Sequence, residues 1–317
     1  MHRALSCSAL AALAGLAVVV SACAGSSPGL SPVGGADGGG GAPDPNGGGG
    51  GIVIPGDPSA DAGVVSNCAE SAKLIYLVTT STAGGANELY SFNPTKPGRS
   101  AYTRIGALAC PSSSSPQTMG VDRTGTAWVF YSDGRLFKVD VTTARCTSTS
   151  FTYPGAGLDF TMGSGFTALG GDVTRETLFL VRNGLQRFDT TALTRTFVGG
   201  PTTTSGELTG GPDGKLFVFD PAGSGRLLDV NPATGITAPL HTFATGTFTN
   251  VSAFAFARYA GSFYLFTAGT DATGFFPTNT RTTVFDPQTR ATTIRDADIG
   301  VTVVGAGQSV CVPPPIF

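Results

Sequence analysis

Histidine is nearly missing from this chain: His2 and His241 are its two imidazoles. A metal centre built from several histidines is therefore excluded. No Cys-x-x-Cys pair is present either, which removes the usual thiolate zinc site. Charge is scarce, at 13% of residues, and the net charge is −2. A chain with so few basic groups neutralises few phosphates, so nucleic acid is not an expected partner. Glutamate occurs only at Glu70, Glu88, Glu176 and Glu207, and tryptophan only at Trp128. After the N-terminus no apolar run approaches the ~20 residues that a membrane-spanning helix needs.

Glycine and proline are abundant, at 46 and 21 residues, and they crowd the first part of the chain. Residues 1–22 carry one early positive charge at Arg3, an apolar stretch through Leu16-Ala-Val-Val-Val20, and small residues before Cys23. That is the pattern of a secretory signal, to be set aside from the fold. Its end, Val20-Ser21-Ala22-Cys23, resembles the bacterial lipobox. The resemblance implies cleavage before Cys23 and acylation of its sulfur and amine, which would anchor the chain in a membrane. Ala24 stands where Asp would redirect sorting in Gram-negative lipoproteins, so the implied location is the outer membrane, on its periplasmic or surface side. The competing reading is ordinary cleavage after Ala22, with Cys23 left as a free thiol. Residues 23–66 then form a Gly/Pro/Ser-rich tether that cannot bury enough apolar surface to fold. A coil of ~40 residues reaches roughly 35 Å. Its glycines lack the Lys-Ser/Thr ending of a phosphate loop.

From residue 67 to 317 one unit repeats. The stretch Met119–Phe151 reads as four short strands, Met119–Val121, Ala127–Tyr131, Arg135–Val139 and Arg145–Phe151, separated by turns rich in Asp, Gly and Thr. Its almost wholly apolar run, Ala127–Tyr131, has counterparts in Leu74–Val78, Leu178–Val181, Leu216–Phe219 and Phe263–Phe266. Apolar runs without alternation indicate strands covered on both faces. A second strand after each run ends at Asn93, Asp140, Asp189, Asn231 or Asp286, and Pro follows three of these (Pro94, Pro232 and Pro287), as in a type I turn. Those positions lie roughly 42 to 55 residues apart, the spacing of propeller blades.

Each run is preceded by a weaker strand (Met119–Asp122, Phe166–Gly170, Leu208–Asp213, Ala253–Phe256), except the first, where Asn67-Cys68 leads almost directly into Leu74. The orphan strand at Val301–Ser309 can fill that vacancy. The predicted fold is all-β: a β-propeller of five four-stranded blades, the first closed by the C-terminal strand, which removes an open sheet edge. A six-bladed ring with one divergent blade, or two β-sandwiches, are the alternatives.

The segments Val121-Asp-Arg-Thr-Gly-Thr-Ala-Trp-Val-Phe130 and Gly211-Pro-Asp-Gly-Lys-Leu-Phe-Val-Phe219 resemble the inner-strand turn of streptogramin-lyase-like and gluconolactonase-like propellers. For activity the resemblance implies either a His acid/base, for which His241 is the sole candidate, or a divalent cation held by Glu, Asn and Asp on inner strands. The inner strands here are apolar and small instead, which speaks against the enzyme. Fold-level likeness carries little about function in any case.

Four cysteines, Cys68, Cys110, Cys146 and Cys311, remain beyond the signal and Cys23. In an exported domain an even number predicts two disulfides, with three possible connectivities. The ring picks Cys68–Cys311, flanking the closure, and leaves Cys110–Cys146 to staple blades one and two. Glu207 stands just before an inner strand, where beside an Asp it could give a carboxylate cluster for Ca²⁺ or for acid/base work. His241, on the outer strand of blade four, reads first as a solvent-facing or hydrogen-bonded strand residue. Trp128 is expected in the core between blades, and Asp122 and Gly125 as turn makers. No cofactor is predicted beyond that Ca²⁺. The functional expectation is a monomeric, membrane-tethered envelope lipoprotein whose propeller binds an envelope protein or glycan; the alternative is a hydrolase or lyase using the central channel.

Overall fold

The computed structural model describes residues 68–80, 86–157, 160–200, 206–274 and 277–314. The signal sequence, Cys23 and the tether lie outside the described residues. Twenty strands form five antiparallel four-stranded sheets. Blade 1 contains β1 (Ile75–Thr80), β2 (Glu88–Phe92) and β3 (Tyr102–Ala107), with β20 (Thr302–Gly307) as its innermost strand. Blade 2 is β4 (Pro116–Val121), β5 (Thr126–Tyr131), β6 (Arg135–Asp140) and β7 (Cys146–Thr152). Blade 3 is β8 (Gly163–Leu169), β9 (Asp172–Val181), β10 (Leu185–Asp189) and β11 (Thr194–Gly199). Blade 4 is β12 (Glu207–Gly210), β13 (Leu216–Asp220), β14 (Arg226–Val230) and β15 (Thr237–Thr242). Blade 5 is β16 (Val251–Tyr259), β17 (Ser262–Gly269), β18 (Arg281–Asp286) and β19 (Ala291–Asp296). The innermost strands touch in ring order, β20 to β4, β8, β12, β16 and back to β20. This is a five-bladed propeller, with β20 paired antiparallel to β1 as the closing strand.

The uninterrupted apolar runs have a direct cause. The second strand of each blade presents alternate side chains to its two neighbours. Tyr76 and Val78 pack with Met119, Val121 and Val129 of blade 2, while Ile75 and Leu77 pack with Ala255, Tyr264 and Phe266 of blade 5. Trp128 and Phe130 meet Phe166, Leu178 and Phe188 across the next junction. Two further clusters fill the junctions between blades 3 and 4 and between blades 4 and 5. Within each run no face is left for solvent, so its positions are apolar or aromatic.

The turn after the third strand is built alike in every blade. Backbone N–H groups two residues on donate to Asn93, Asp140, Asp189, Asn231 and Asp286 Oδ1, at 2.8–3.0 Å. These donors, with the Thr hydroxyls that accompany several of them, hold the carboxyls of Asp140, Asp189 and Asp286 below their ordinary range. The recurring Asp/Asn is thus a structural part of the blade.

Five inner strands can surround a narrow axis only if their backbones come close. A Cβ on Gly163 would stand 2.3 Å from the Gly206 carbonyl oxygen, and one on Gly210 would stand 2.2 Å from that of Phe166. This explains the small residues along the axis. It also explains why two inner strands are longer than the sequence predicts: β8 begins at Gly163 and β16 at Val251, where small or polar residues carry no strand signal.

Two disulfides are present, Cys68–Cys311 and Cys110–Cys146. The first spans 243 residues and fastens the start of blade 1 to the segment after β20. The second ties the connection between β3 and β4 to the first residue of β7. Such bonds persist in oxidising compartments, so this is a domain that folds outside the reducing cytosol. Among the described residues no helix is long and apolar enough to cross a membrane.

Candidate functional site: the mouth of the channel

All five inner strands run in the same direction along the axis. Their N-terminal ends surround a cavity of about 330 Å³ to which every blade contributes. Gln117, Met162, Glu207, Ser252, Phe254 and Val304 are among its lining residues. Three of the six owe their position to a backbone irregularity. The register of β4 on β5 skips Gln117, that of β16 on β17 skips Ser252, and that of β20 on β1 skips Val304. A bulge adds one unpaired residue and re-aims its side chain. Here three bulges open at the same end of the ring.

Glu207 is the first residue of β12 and is only 3% exposed. Thr118 Oγ1, from β4, donates to its Oε2 at 2.8 Å. The Ser164 backbone N–H, from β8, reaches the same oxygen at 3.4 Å and Thr118 Oγ1 at 3.0 Å. Three consecutive blades therefore meet at one carboxyl. Loss of hydration on burial pushes the Glu207 carboxyl well above its ordinary range. The hydrogen bonds from Thr118, Ser164 and the Leu208 backbone oppose this without a charged group to help them. Among the described residues no Lys, Arg or His lines the mouth. Burial thus favours the neutral form of Glu207, which has hydrogen bonds but no counter-ion.

Among the described residues no Asp lines the mouth to complete a carboxylate cluster; hydroxyl and amide groups surround Glu207 instead. Among the described residues no group of three or more His, Cys, Asp or Glu side chains could hold a metal ion. His241 lies on β15, the outermost strand of the blade whose innermost strand carries Glu207, so two strands separate them. Its ring is stacked on Phe285 of blade 5, centroid to centroid 4.2 Å, and Phe243 meets it edge-on at 4.7 Å. Nδ1 is buried and has no partner. Desolvation, then the charge of Arg290, lowers its pKa. His241 is therefore half-buried packing between two blades, neither solvent-facing nor hydrogen-bonded through Nδ1, because the outer strand of blade 4 leans on blade 5.

Trp128 is buried, meets Phe188 of blade 3, and donates Nε1–H to Asp122 Oδ2 at 2.9 Å. Asp122 Oδ1 accepts from the Thr124 and Thr126 backbone. Asp122, Gly125 and Trp128 are blade parts.

The far end of the ring differs. Gln308, just after β20, crosses the axis and donates Nε2–H to Thr209 Oγ1 at 2.6 Å and to the Gly210 carbonyl at 2.9 Å. Blades 1 and 4 are not neighbours, so this contact spans the channel. Ser309 donates to the Ala72 carbonyl, Cys311 is disulfide-bonded, and Pro313 accepts from the Ala260 N–H. Close by, buried Arg258 lies over the Phe217 and Phe263 rings and bonds both oxygens of Asp213, at 2.9 and 2.8 Å.

Sequence reasoning did not find Thr118, Ser164, Gln117 or Gln308. The available signal was weak: a polar residue inside a run of Gly, Ala and Ser. Ser164 sits in Met162-Gly-Ser-Gly-Phe166, whose spacing fits no nucleophile motif, and the structure buries it in β8 beside Thr118.

No protein-family model matches the sequence, and no curated protein matches it. Solved structures resemble it remotely. A protein of unknown function from Bacteroides thetaiotaomicron shares 13% identity at a TM-score of 0.44, over 66% of this chain and 56% of that one. An extracellular domain from B. thetaiotaomicron gives 12% and 0.37, over 70% and 28%. A chain of the mitotic checkpoint complex gives 16% and 0.37, over 73% and 62%. The chain thus spans less than two thirds of each of these.

Proposed function

We propose that this propeller is a binding module of the cell envelope, which receives its ligand at the mouth of the channel. The observation that carries the reading is the mouth itself: a cavity walled by all five blades, opened by three bulges, and lined by hydrogen-bonding side chains, of which Gln117 Oε1 has no partner. Its volume is at the lower end of ligand pockets, which suits a small molecule or one terminal unit of a larger one, such as a glycan. A single buried carboxyl among hydroxyl and amide groups suits binding and orienting a ligand.

The remaining parts of the reading come from the sequence. Residues 1–22 direct export, Cys23 carries the acyl anchor, residues 23–66 hold residues 67–317 off the membrane, and Ala24 favours the outer membrane. The protein acts as a monomer on an envelope partner or glycan.

Two experiments test the proposal. Mass spectrometry of the mature N-terminus should find an acylated Cys23, and an unmodified Cys23 removes the anchor. Ligand-observed NMR with a panel of envelope glycans and small polar molecules should find binders that Ser132→Trp, a substitution filling the mouth, displaces. Binders that Ser132→Trp leaves untouched would move the site elsewhere.

A further inference from the structure

Two polar features of the mouth have the same character. Gln117 Oε1 is buried and accepts no hydrogen bond. Glu207 is a buried acid that accepts from Thr118, Ser164 and the Leu208 backbone but has no cation. Both are acceptors, or become acceptors once the acid ionises. Ser252 adds to them: its hydroxyl hydrogen goes to the Gly269 carbonyl at 2.8 Å, which leaves the oxygen lone pairs for another donor. Phe254 supplies an aromatic ring, and Met162 and Val304 supply apolar wall.

The charged groups nearby are engaged elsewhere. Arg182 donates to the Thr161 carbonyl at 3.0 Å and lies over the Phe160 and Tyr153 rings. Among the described residues, the strands packed against β12, namely β8, β9, β13 and β16, present no Lys, Arg, His, Asp or Glu to the Glu207 carboxyl, and Thr118 of β4 presents a hydroxyl. A neutral ligand would leave that carboxyl as it is, with Gln117 satisfied at most. An anion would leave Gln117 Oε1 without a donor and would oppose ionisation of Glu207. A ligand with several donors, no acceptor at its tip and a positive charge matches all three groups, and it makes the buried carboxylate favourable by pairing it in a low-dielectric site.

We infer that the mouth is a receptor for a primary amine carried on a small organic body, whose ammonium group pairs with Glu207 and donates to Gln117 and Ser252. This inference rests on the binding role proposed for the mouth and names its ligand class. The amine enters as R–NH3⁺, and where Glu207 is protonated beforehand its proton passes to the solvent as the pair forms, so up to one proton leaves per ligand bound. The ring of Phe254 can add a cation–π contact. A free alkylamine, or an amino sugar of a glycan, would bring the same chemistry.

The test is isothermal titration of the full-length mature protein with n-butylamine, 1-butanol, glucosamine and N-acetylglucosamine. It is run at pH 6.5 in two buffers of different ionisation enthalpy, so that the difference in heats counts protons. We expect at least one amine to bind tenfold or more tightly than its neutral counterpart, with a proton release of up to one per ligand. Glu207→Gln should remove both the preference and the release while the variant's thermal unfolding midpoint does not fall. Binding of butylamine alone points to free amines or lysine-like groups, and binding of glucosamine alone points to a glycan. If the neutral probes bind as well as the amines, or Glu207→Gln leaves the preference intact, the amine inference is overturned while the binding role stands. If no probe binds, or Ser132→Trp changes nothing, both fall.

Discussion

The two ends of this ring are built from the same strands and finished in opposite ways. At the far end the buried charges are matched, although Arg258 Nε is left without an acceptor. Gln308 reaches Thr209 and Gly210, Arg258 holds Asp213 with two aromatic rings beneath it, and Cys68 is bonded to Cys311. At the mouth Glu207 is buried without a cation, Gln117 Oε1 accepts nothing, and three bulges interrupt the pairing. Both ends contain buried charge-bearing groups, so burial does not distinguish them. Charge pairing does. A fold has no use for an acid without a counter-ion in its interior, which costs free energy and holds nothing together. The charge-matched groups at the far end therefore read as structure, and the carboxyl without a counter-ion at the mouth reads as a site.

If that division is right, cuts at the far end cost stability and changes at the mouth do not. The largest effect is expected for the double variant Cys68→Ser/Cys311→Ser. Closing a loop of 243 residues removes chain entropy worth nominally about 5 kcal/mol, so urea unfolding should show a loss of about 3–5 kcal/mol. A loss below about 1 kcal/mol would show that β20 pairing with β1 closes the ring unaided. Asp213→Ala comes next. It strands the Arg258 guanidinium under the rings with no acceptor, and about 3 kcal/mol should be lost. An unchanged midpoint would mean that Arg258 reaches water, and the far end would then not be the matched end. Gln308→Ala should cost about 1–2 kcal/mol, since it leaves the Thr209 hydroxyl and the Gly210 carbonyl short of a donor.

The difference between the two ends was only half legible in the amino-acid order. Blade number was readable because the physics is local. Strands such as Leu74–Val78 and Ala127–Tyr131 are covered on both faces and so are apolar throughout, and the Asx turns at Asn93, Asp140, Asp189, Asn231 and Asp286 mark each return. Closure was readable because blade 1 lacks an inner strand and the C-terminus has one spare. The Cys68–Cys311 bond follows from that closure. The mouth was not readable beyond Glu207. Thr118, Ser164 and Glu207 come from three blades, and what brings them together is the stagger of neighbouring inner strands, which no local pattern encodes. The bulges at Gln117, Ser252 and Val304 are shifts of a single residue. A one-residue shift reverses which side chain faces the axis, and nothing in Pro116-Gln117-Thr118 or Val251-Ser252-Ala253 announces it.

The smallest stability effect, and the sharpest test of the division, is expected at Glu207 itself. Its folded pKa is raised above the unfolded value by burial. Between those two values the folded state holds a proton that the unfolded state has lost. Stability therefore falls as pH rises above the ordinary carboxyl range, by about 1.4 kcal/mol per pH unit, until the folded carboxyl ionises. Glu176, pushed up to about 7 mainly by burial on β9, adds a second slope of the same sign from outside the mouth. The informative quantity is thus the difference between Glu207→Gln and the parent. Near pH 5 that difference should be under about 1 kcal/mol, because Gln keeps an oxygen to accept from Thr118 and Ser164. At pH 8 the variant should be the more stable of the two, measured by urea unfolding at each pH. A variant less stable than the parent at pH 8 would mean that Glu207 is matched after all, and the mouth would then be a second structural end.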